Sequence, residues 1–345
     1  MKACFIKRYG DPSVINTGSL PDPVCSPDEV IIETKATALN HLDIWVRMGR
    51  PGNALTFPHI LGSDLSGVIR EIGLSVGELH NLRVGDEVII YPGTYCGICS
   101  ACRKGEHSLC AHYGLMGLTR QGTFSQYAAV PAANVLKKPE HLSFEESAAF
   151  PLTYLTAWRM LFTQGKLSPG QMVLIHGIGG GVALASLQLA LSAGAHVIVT
   201  SSSDAKLEKA SIIGAHATIN YKEDTIADWI ADYTESSGVD LIIDAVGAET
   251  MKSNLNIIKK GGTIVLCGVT TGPEAMLDLR SLYWKQIALH GSTMGSISEL
   301  QQVLKTINTN AMKPVIDSIH TMDDVITATE RMEKGKQFGK IILVP

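Results

Sequence analysis

Four cysteines lie within fifteen residues and could bind one metal ion together. Their spacing is Cys96-x2-Cys99-x2-Cys102-x7-Cys110, and the other three of the seven cysteines are scattered along the chain. An odd total with one dense cluster favours a metal site over a disulfide framework. Four thiolates complete a tetrahedral zinc site, which leaves no open position for chemistry. The spacing therefore predicts one structural Zn2+, with an iron–sulfur cluster or four free thiols as the alternatives.

A glycine-rich turn is the second feature that could do chemistry. Residues 176–183 are HGIGGGVA, between the apolar run 172–175 and an apolar helix expected over 184–193. Such a turn lets backbone N–H groups and a helix N-terminus approach a pyrophosphate. The alternative is a tight strand-to-helix connection. Because the turn comes at the start of a series of alternating strands and helices, we predict that it forms a nucleotide site. The candidate contacts are Gly177, Gly179, Gly180, Gly181 and Val182.

The residues after the next strand bear on which cofactor binds. An acidic side chain there would bind the ribose 2′-hydroxyl of NAD and repel a 2′-phosphate. This chain has Thr200-Ser-Ser-Ser203 instead, and Asp204 comes late enough to lie in the next helix's first turn. Lys206 is a candidate phosphate partner, or else an ordinary solvated helix lysine. The pattern favours NADPH over NADH.

Short apolar runs rich in β-branched residues alternate with helix-length segments from about residue 148 onward. Six such runs lie at 172–175, 196–200, 217–220, 240–244, 263–266 and 288–290. Apolar strands separated by helices form parallel sheets that are covered on both faces. We therefore predict an α/β domain over 148–291, built on a doubly wound, parallel six-stranded sheet that binds a dinucleotide.

The N-terminal part of the chain is punctuated by Pro and Gly and is rich in short strand candidates, at 29–33, 65–69, 86–90 and 124–128. This pattern predicts a compact, barrel-like β domain over 1–147. The segment 292–345 has helical stretches, and its final run 340–344 is expected to rejoin the β domain.

Charge and hydropathy exclude several classes of partner. The formal net charge of -4 is spread along the chain, which gives no electrostatic basis for binding nucleic acid or an anionic membrane. No stretch approaches the ~18 to 20 apolar residues of a membrane span, and the first residues lack a signal-peptide pattern. We expect a cytoplasmic protein that acts on a small molecule.

The cysteine cluster, the turn at Gly177 and the order of the two domains together resemble the zinc-containing medium-chain dehydrogenase/reductase family, which includes alcohol dehydrogenases and quinone oxidoreductases. The resemblance covers essentially the whole chain. Supporting segments are 38–43 (ALNHLD), 57–64 (FPHILGSD), 84–88 (VGDEV), 122–127 (GTFSQY), 151–157 (PLTYLTA) and 339–342 (GKII). It implies a Rossmann domain plus a GroES-like β-barrel catalytic domain. It also implies a homodimer or homotetramer, joined along the exposed edge expected for the sixth strand.

The departures from the family pattern concern the catalytic metal. Zinc-dependent members of the family bind it through a Cys where this chain has Asn40 and a His where it has Ser63, and the third ligand falls near 151–153, where no metal ligand stands. Asn and Ser are poor zinc ligands, so we expect no catalytic zinc. An atypical metal site built from His41, Asp43, His59 and Asp64 is the alternative.

These departures resemble the quinone-oxidoreductase and enoyl-reductase branches, which use NADPH without catalytic zinc. By that resemblance the cofactor contacts are Asn40, Thr153, Ser201, Lys206, Tyr221, Gly268, Val269, Ser292 and Met294. The plainer interpretation of Tyr221 is a surface aromatic, and that of Thr153 is a helix cap.

The expected reaction is hydride transfer from NADPH to an activated carbonyl compound, either a quinone or an α,β-unsaturated carbonyl. Asn40 would hydrogen-bond the cofactor ribose or the substrate oxygen. The proton would come from water or from His41 or Tyr154, either of which could instead be a satisfied structural contact. The rival functions are a zinc-dependent alcohol or aldehyde dehydrogenase with atypical ligands and a non-catalytic NADPH-binding protein.

Overall fold

The computed structural model describes residues 1–49, 54–77 and 81–345. The chain divides into two compact units: unit 1 comprises Met1–Leu152 and Ser296–Pro345, and unit 2 comprises Thr153–Gly295. The sequence had suggested boundaries at 147/148 and 291/292, a few residues earlier in each case.

The elements before the first boundary are mostly short strands. They are β1 (Lys2–Ile6), β2 (Ile15–Ser19), β3 (Glu29–Ala38), α1 (His41–Arg47), β4 (His59–Ile60), β5 (Asp64–Ile72), β6 (Glu87–Ile90), β7 (Gly93–Thr94), α2 (Ser100–Arg103), β8 (Gly114–Leu115), β9 (Tyr127–Pro131), β10 (Val135–Lys137) and α3 (Phe144–Ala148). Three of the four predicted strands lie within or overlap β3, β5 and β6. The start of the fourth strand, predicted at residue 124, is wrong by three residues, because β9 begins at Tyr127. The N–H of Phe124 instead donates a hydrogen bond to the carbonyl of Leu61.

The elements of unit 2 alternate between helices and strands. They are α4 (Pro151–Trp158), which continues as a π-helical segment (Arg159–Gln164), then β11 (Met172–Ile175), α5 (Gly181–Ser192), β12 (His196–Ser201), α6 (Asp204–Ile213), β13 (Ala217–Asn220), α7 (Ile226–Tyr233), β14 (Val239–Asp244), α8 (Ala248–Ile257), β15 (Ile258–Leu266), α9 (Leu279–Trp284) and β16 (Ala288–Gly291). The chain then returns to unit 1 as α10 (Ile297–Thr309), β17 (Ile316–Thr321), α11 (Val325–Glu333) and β18 (Lys340–Val344).

Unit 2 is built on one parallel sheet in the order β13-β12-β11-β14-β15-β16. This is the dinucleotide-binding order 3-2-1-4-5-6, and all six predicted strands are confirmed. The strands carry Val, Ile and Leu on both faces, and side chains such as Leu174, Ile198, Ile242 and Ile264 form a fully buried core. The order reverses between β11 and β14, where open α/β sheets bind their ligands.

Unit 1 is built on a mixed sheet in the order β10-β6-β5-β3-β18-β17, with β9 also paired to β3. The last strand, β18, pairs antiparallel with the end of β3 through Ile342 and Ala38, which confirms that the C-terminal run rejoins the β domain. A smaller sheet has the order β2-β1-β4. No helix in the described part of the chain is long and apolar enough to cross a lipid bilayer.

Candidate cofactor site and metal-binding loop

The four clustered cysteines converge on one point in unit 1. Their Sγ atoms all lie within 4.8 Å of one another, with 3.5 Å between Cys99 and Cys102 and 3.5 Å between Cys96 and Cys110. A tetrahedron with Zn–S bonds of about 2.3 Å has sulfur–sulfur edges of about 3.8 Å. The four sulfurs are therefore arranged to hold one metal ion. In residues 1–49, 54–77 and 81–345 this is the only such group of three or more His, Cys, Asp or Glu side chains.

The backbone around the cysteines supports their sulfurs. The N–H groups of Cys96 and His112 donate to the Sγ of Cys110 at 3.4 and 3.3 Å. Such hydrogen bonds favour thiolates and orient metal ligands. His107 stacks on Tyr95 with ring centroids 4.1 Å apart and accepts the N–H of Ile297 at its Nδ1. The loop is thus fastened to the first turn of α10 within unit 1.

The glycine turn of unit 2 has the geometry of an anion-binding turn. Gly177 and Gly179 have φ of 70° and 115°, which residues with a Cβ rarely adopt. Helix α5 starts at Gly181, three residues earlier than predicted, because the turn leads directly into it. The N–H groups of Gly181 and Val182 therefore belong to the first helical turn, where donors have no partner within the helix and suit a phosphate.

Strand β12 ends without an acidic residue that could bind the ribose 2′-hydroxyl of a dinucleotide. Asp204 is the first residue of α6, as predicted, and its Oδ1 accepts a hydrogen bond from Asn220 Nδ2 at 2.7 Å. Ser201 is buried, and its backbone carbonyl accepts the N–H of Tyr221. Lys206 lies half-buried on α6. The structure thus brings Ser201 and Tyr221 together at the carboxyl ends of neighbouring strands, and Tyr221 remains 49% exposed.

The other predicted contacts in unit 2 follow β15 and β16. Gly268 has no room for a side chain, since a Cβ there would lie 2.7 Å from the carbonyl oxygen of Ala245. Ser292 is buried, and its Oγ has no hydrogen-bond partner among the described residues. An orphaned buried hydroxyl is costly unless a ligand satisfies it. These positions lie at the carboxyl ends of parallel strands and fit a nicotinamide nucleotide.

Three further predicted contacts are placed as follows. Val269 is 49% exposed after β15. Met294 is buried, and its sulfur accepts the hydroxyl of Thr156 at 3.6 Å. Thr153 is buried within α4. Their roles stay predictions.

Asn40 lies in a saturated buried network rather than in an open pocket. Its Oδ1 accepts from Lys340 Nζ at 2.6 Å, and its Nδ2 donates to Asp64 Oδ2 at 2.9 Å. Lys340 also donates to the carbonyl of Leu39 and to Asp64, which uses all three ammonium protons. The predicted hydrogen bond from Asn40 to the cofactor or substrate would have to compete with these contacts.

Structural partners are also present for Ser63, which stands at the position of an absent family ligand, and for the side chains considered for an atypical metal. Ser63 Oγ donates to the carbonyl of Met116 at 2.7 Å, and buried His59 contacts the carbonyl of Gly117 through Nε2 at 2.9 Å. The carboxylate of Asp43 accepts the N–H groups of Asn40 and Gly62, while burial raises the pKa of Asp43 to about 7. These groups do not converge on a common point within the described residues.

The two candidate proton donors differ in environment. His41 is exposed at the start of α1. Tyr154 is buried, burial raises the pKa of its phenol, and its hydroxyl donates to Gln188 Oε1. The geometry of Tyr154 favours the satisfied structural contact over a proton donor.

Sequence reasoning did not assign a role to Lys340. The sequence feature that could have indicated a buried role is its position as a charged residue at the start of an otherwise apolar strand, between Gly339 and Ile341. Such a lysine is normally solvated, and only the pairing of β18 with β3 brings it to Asn40 and Asp64.

Two family models match this chain. The alcohol dehydrogenase GroES-like domain covers residues 26–140, and the zinc-binding dehydrogenase model covers residues 181–309. The first corresponds to unit 1 and the second begins at the glycine turn.

Individual proteins match over nearly the whole chain. The zinc-type alcohol dehydrogenase-like protein YogA of Leptosphaeria maculans is 34% identical, over 96% of this chain and 94% of the relative. Human quinone oxidoreductase is 27% identical, over 100% of this chain and 98% of that protein. A crystal structure described as an NAD-dependent alcohol dehydrogenase is 37% identical, with a TM-score of 0.96 and full coverage of both chains. The chain belongs to the zinc-type alcohol dehydrogenase and quinone oxidoreductase family of medium-chain dehydrogenases/reductases, and it is an NAD(P)-dependent oxidoreductase.

Proposed function

We propose that this enzyme is an NADPH-dependent reductase that transfers hydride to a quinone or an α,β-unsaturated carbonyl compound without a catalytic zinc. The observation that carries the proposal is the buried Asn40–Lys340–Asp64 network. One member, Asn40, stands where the resemblance expects a metal ligand, and Lys340 and Asp64 are bound to it.

A zinc ion beside this network would meet an ammonium group instead of free ligands. Every proton of the Lys340 ammonium already has an acceptor, and Ser63 donates to the backbone. Bringing a divalent cation close to a buried ammonium is electrostatically unfavourable. A conjugated acceptor needs such a Lewis acid less, because it delocalises the charge that develops when a hydride adds.

NADPH, when bound, supplies a hydride from C4 of its nicotinamide. The glycine turn and the first N–H groups of α5 would hold the pyrophosphate. Lys206 and Ser201 would hold the 2′-phosphate, since Asp204 is engaged by Asn220. Ser292 Oγ would hydrogen-bond the nicotinamide carboxamide. For an enone, the proton would come from water or from exposed His41.

We propose one structural Zn2+ at the four cysteines, where it would fold a loop with little core of its own. We further propose a homodimer or homotetramer in the cytoplasm. Strand β16 is the end of its sheet in the described chain, and Leu279, Tyr283 and Trp284 of the preceding helix are each at least 66% exposed. A second copy would cover both the strand edge and these apolar side chains.

A second candidate function is alcohol oxidation with NAD. It is favoured by the similarity to a zinc-type alcohol dehydrogenase-like protein and to the crystal structure of an NAD-dependent alcohol dehydrogenase.

The deciding experiment is anaerobic NADPH and NADH oxidation against a panel of quinones, enals and ketones, with metal content measured on the same sample. We expect turnover with quinones or enals, a preference for NADPH, and one zinc per chain. Lys206→Ala should weaken NADPH binding while NADH binding stays the same, and Lys209→Ala on the same helix is the control. Two metals per chain with alcohol oxidation by NAD would support the second function. Dinucleotide binding without turnover of any acceptor in the panel would count against the proposed reaction.

A further inference from the structure

Four polar side chains form a buried chain of hydrogen bonds behind the glycine turn in unit 2. His176 follows β11, Thr200 lies near the end of β12, Asp244 ends β14, and Asn254 lies in α8. All four are no more than 2% exposed. They therefore connect the carboxyl ends of three adjacent strands, β12, β11 and β14, from within the core.

The direction of each hydrogen bond follows from Asp244. Its Oδ1 accepts the N–H groups of Val246 and Gly247 at 2.7 and 3.1 Å, and its Oδ2 accepts the Thr250 hydroxyl at 2.6 Å. Oδ2 also lies 2.7 Å from Asn254 Nδ2. A carboxylate only accepts hydrogen bonds, so Asn254 must turn its amide nitrogen to Asp244 and its Oδ1 the other way.

The orientation of Asn254 then sets the tautomer of His176. Asn254 Oδ1 lies 2.7 Å from His176 Nε2, and a carbonyl oxygen can only accept, so Nε2 carries the proton. Burial lowers the pKa of His176 and favours the neutral ring, although the charge of Asp244 opposes this. In the neutral ring Nδ1 is an acceptor.

Two further hydrogen bonds connect His176 to the glycine turn through Thr200. His176 Nδ1 lies 3.2 Å from Thr200 Oγ1, so the Thr200 hydroxyl donates its proton to the ring. Its lone pairs then face the N–H of Gly177, which lies 3.3 Å from Oγ1. The carbonyl of Thr200 also accepts the N–H of Ile178 at 2.8 Å. The first two N–H groups of the glycine turn are thereby held on Thr200.

We propose that His176, Asn254 and Asp244 act as a positioning relay that orients Thr200 and thereby presets the glycine turn for the dinucleotide. The relay holds the N–H of Gly177 on the Thr200 hydroxyl, beside the Ile178 N–H that the Thr200 carbonyl binds. The N–H groups of Gly181 and Val182 at the start of α5 are left to face the pyrophosphate. None of the relay residues touches the ligand. This rests on the proposed cofactor site.

A purely structural role does not account for the arrangement. Asp244 accepts the N–H groups of Val246 and Gly247, but those bonds require neither Asn254 nor His176. Burying the amide and the imidazole costs free energy that apolar side chains of similar volume would avoid. A buried polar network is specific because each member is satisfied only when all the others are in place.

The test compares Thr200→Val, which keeps the shape and loses the hydroxyl, with Thr200→Ser, which keeps the hydroxyl. Calorimetric binding of NADPH and of NADH is measured for each variant. We expect Thr200→Val to weaken both cofactors about tenfold, as loss of a buried hydrogen-bond partner does, and Thr200→Ser to restore most of the affinity. Thr329→Val, which removes a buried hydroxyl that donates to Val325 in unit 1, is the control for a general loss of stability.

A double-mutant cycle separates a relay from two independent contacts. Asn254→Leu should also weaken both cofactors about tenfold, and the double variant with Thr200→Val should be about as weak as either single variant. The KM for the cofactor should rise while kcat at saturation stays the same. In spectra of histidine-labelled wild type, His176 should be in the Nε2–H tautomer.

The outcomes distinguish the two proposals. Unchanged cofactor affinities in Thr200→Val and Asn254→Leu, with only the melting temperature lowered, would overturn the relay. So would an Nδ1–H tautomer at His176. Tight dinucleotide binding by the wild type with no acceptor reduced would count against the proposed reaction and leave the relay standing, whereas a wild type that bound neither dinucleotide would overturn both.

Discussion

The ammonium nitrogen of Lys340 lies 2.6 Å from Oδ1 of Asn40, with both side chains buried in unit 1. The two residues are 300 positions apart and meet because β18 pairs with β3. The same ammonium forms an ion pair with fully buried Asp64. Burial alone lowers the pKa of Lys340, while the carboxylates of Asp64 and Asp43 act against this. The network therefore places a protein cation beside Asn40, a position at which the family resemblance expects a metal ligand.

Replacing Lys340 with Met should destabilise the protein strongly. The change leaves the buried carboxylate of Asp64 without its cation, a loss that typically costs about 3–5 kcal/mol. The free energy of unfolding from chemical denaturation measures it. Lys334→Met is the matched control, because the Lys334–Glu330 pair is exposed on α11 and should change stability by less than about 0.5 kcal/mol. Equal stability of the two variants would contradict the buried pair.

Replacing Cys102 with Ser should remove the metal. One of four ligands is then lost, and structural zinc can contribute ~10 kcal/mol or more to local folding. We expect elemental analysis to fall from one zinc per chain to near zero, with increased proteolysis of the loop. Cys25→Ser is the control and should keep one zinc, since Cys25 lies outside the cluster. A full metal complement in Cys102→Ser would refute the four-cysteine site.

Replacing Tyr154 with Phe should lower stability by about 1 kcal/mol and leave kcat unchanged. The substitution removes one buried hydrogen bond to Gln188 and keeps the ring in the core. Steady-state turnover and thermal unfolding of the same sample measure both effects. A large fall in kcat with unchanged stability would instead assign Tyr154 to proton transfer.

Replacing Asp317 with Asn should destabilise the protein at neutral pH and have little effect in acid. Burial raises the pKa of Asp317, but hydrogen bonds from Arg331 and from the N–H of Phe338 outweigh it and bring the pKa to about 2. The unfolded carboxyl has a pKa of about 3.9, so the stabilisation is complete above about pH 4 and is lost as pH falls toward 2.

The Asp317 carboxylate should stabilise the folded protein by about 1–2 kcal/mol at neutral pH. The value is kept low because Arg331 is 37% exposed, and solvent weakens its attraction to the carboxylate. Urea titrations at several pH values should show the gap between wild type and Asp317→Asn closing below about pH 4. A gap that stayed constant with pH would show that the carboxylate charge does not matter. Asp323→Asn removes an exposed ion pair with Lys2 and serves as the control.

The local pattern of the chain was enough to predict the parallel sheet of unit 2. Its strands are continuous apolar runs, and each is followed by a turn and a helix, so the period of the sequence reveals the alternation directly. The cysteine spacing was equally informative, because the four ligands lie on one short loop whose geometry is local. The start of α5 was misplaced by three residues, since glycine hides the point at which a turn becomes a helix.

Four features could be predicted from the order of residue types alone, because each depends on residues at short spacing. They are the two-part organisation, the glycine turn, the cysteine cluster and the absence of metal ligands at Asn40 and Ser63. Three contacts became visible once the chain was folded: Asn40 with Lys340, Tyr154 with Gln188, and His176 with Asp244 through Asn254. Those contacts join residues from 10 to 300 positions apart. Their hydrogen bonds depend on strand pairing and helix packing, which no local pattern encodes.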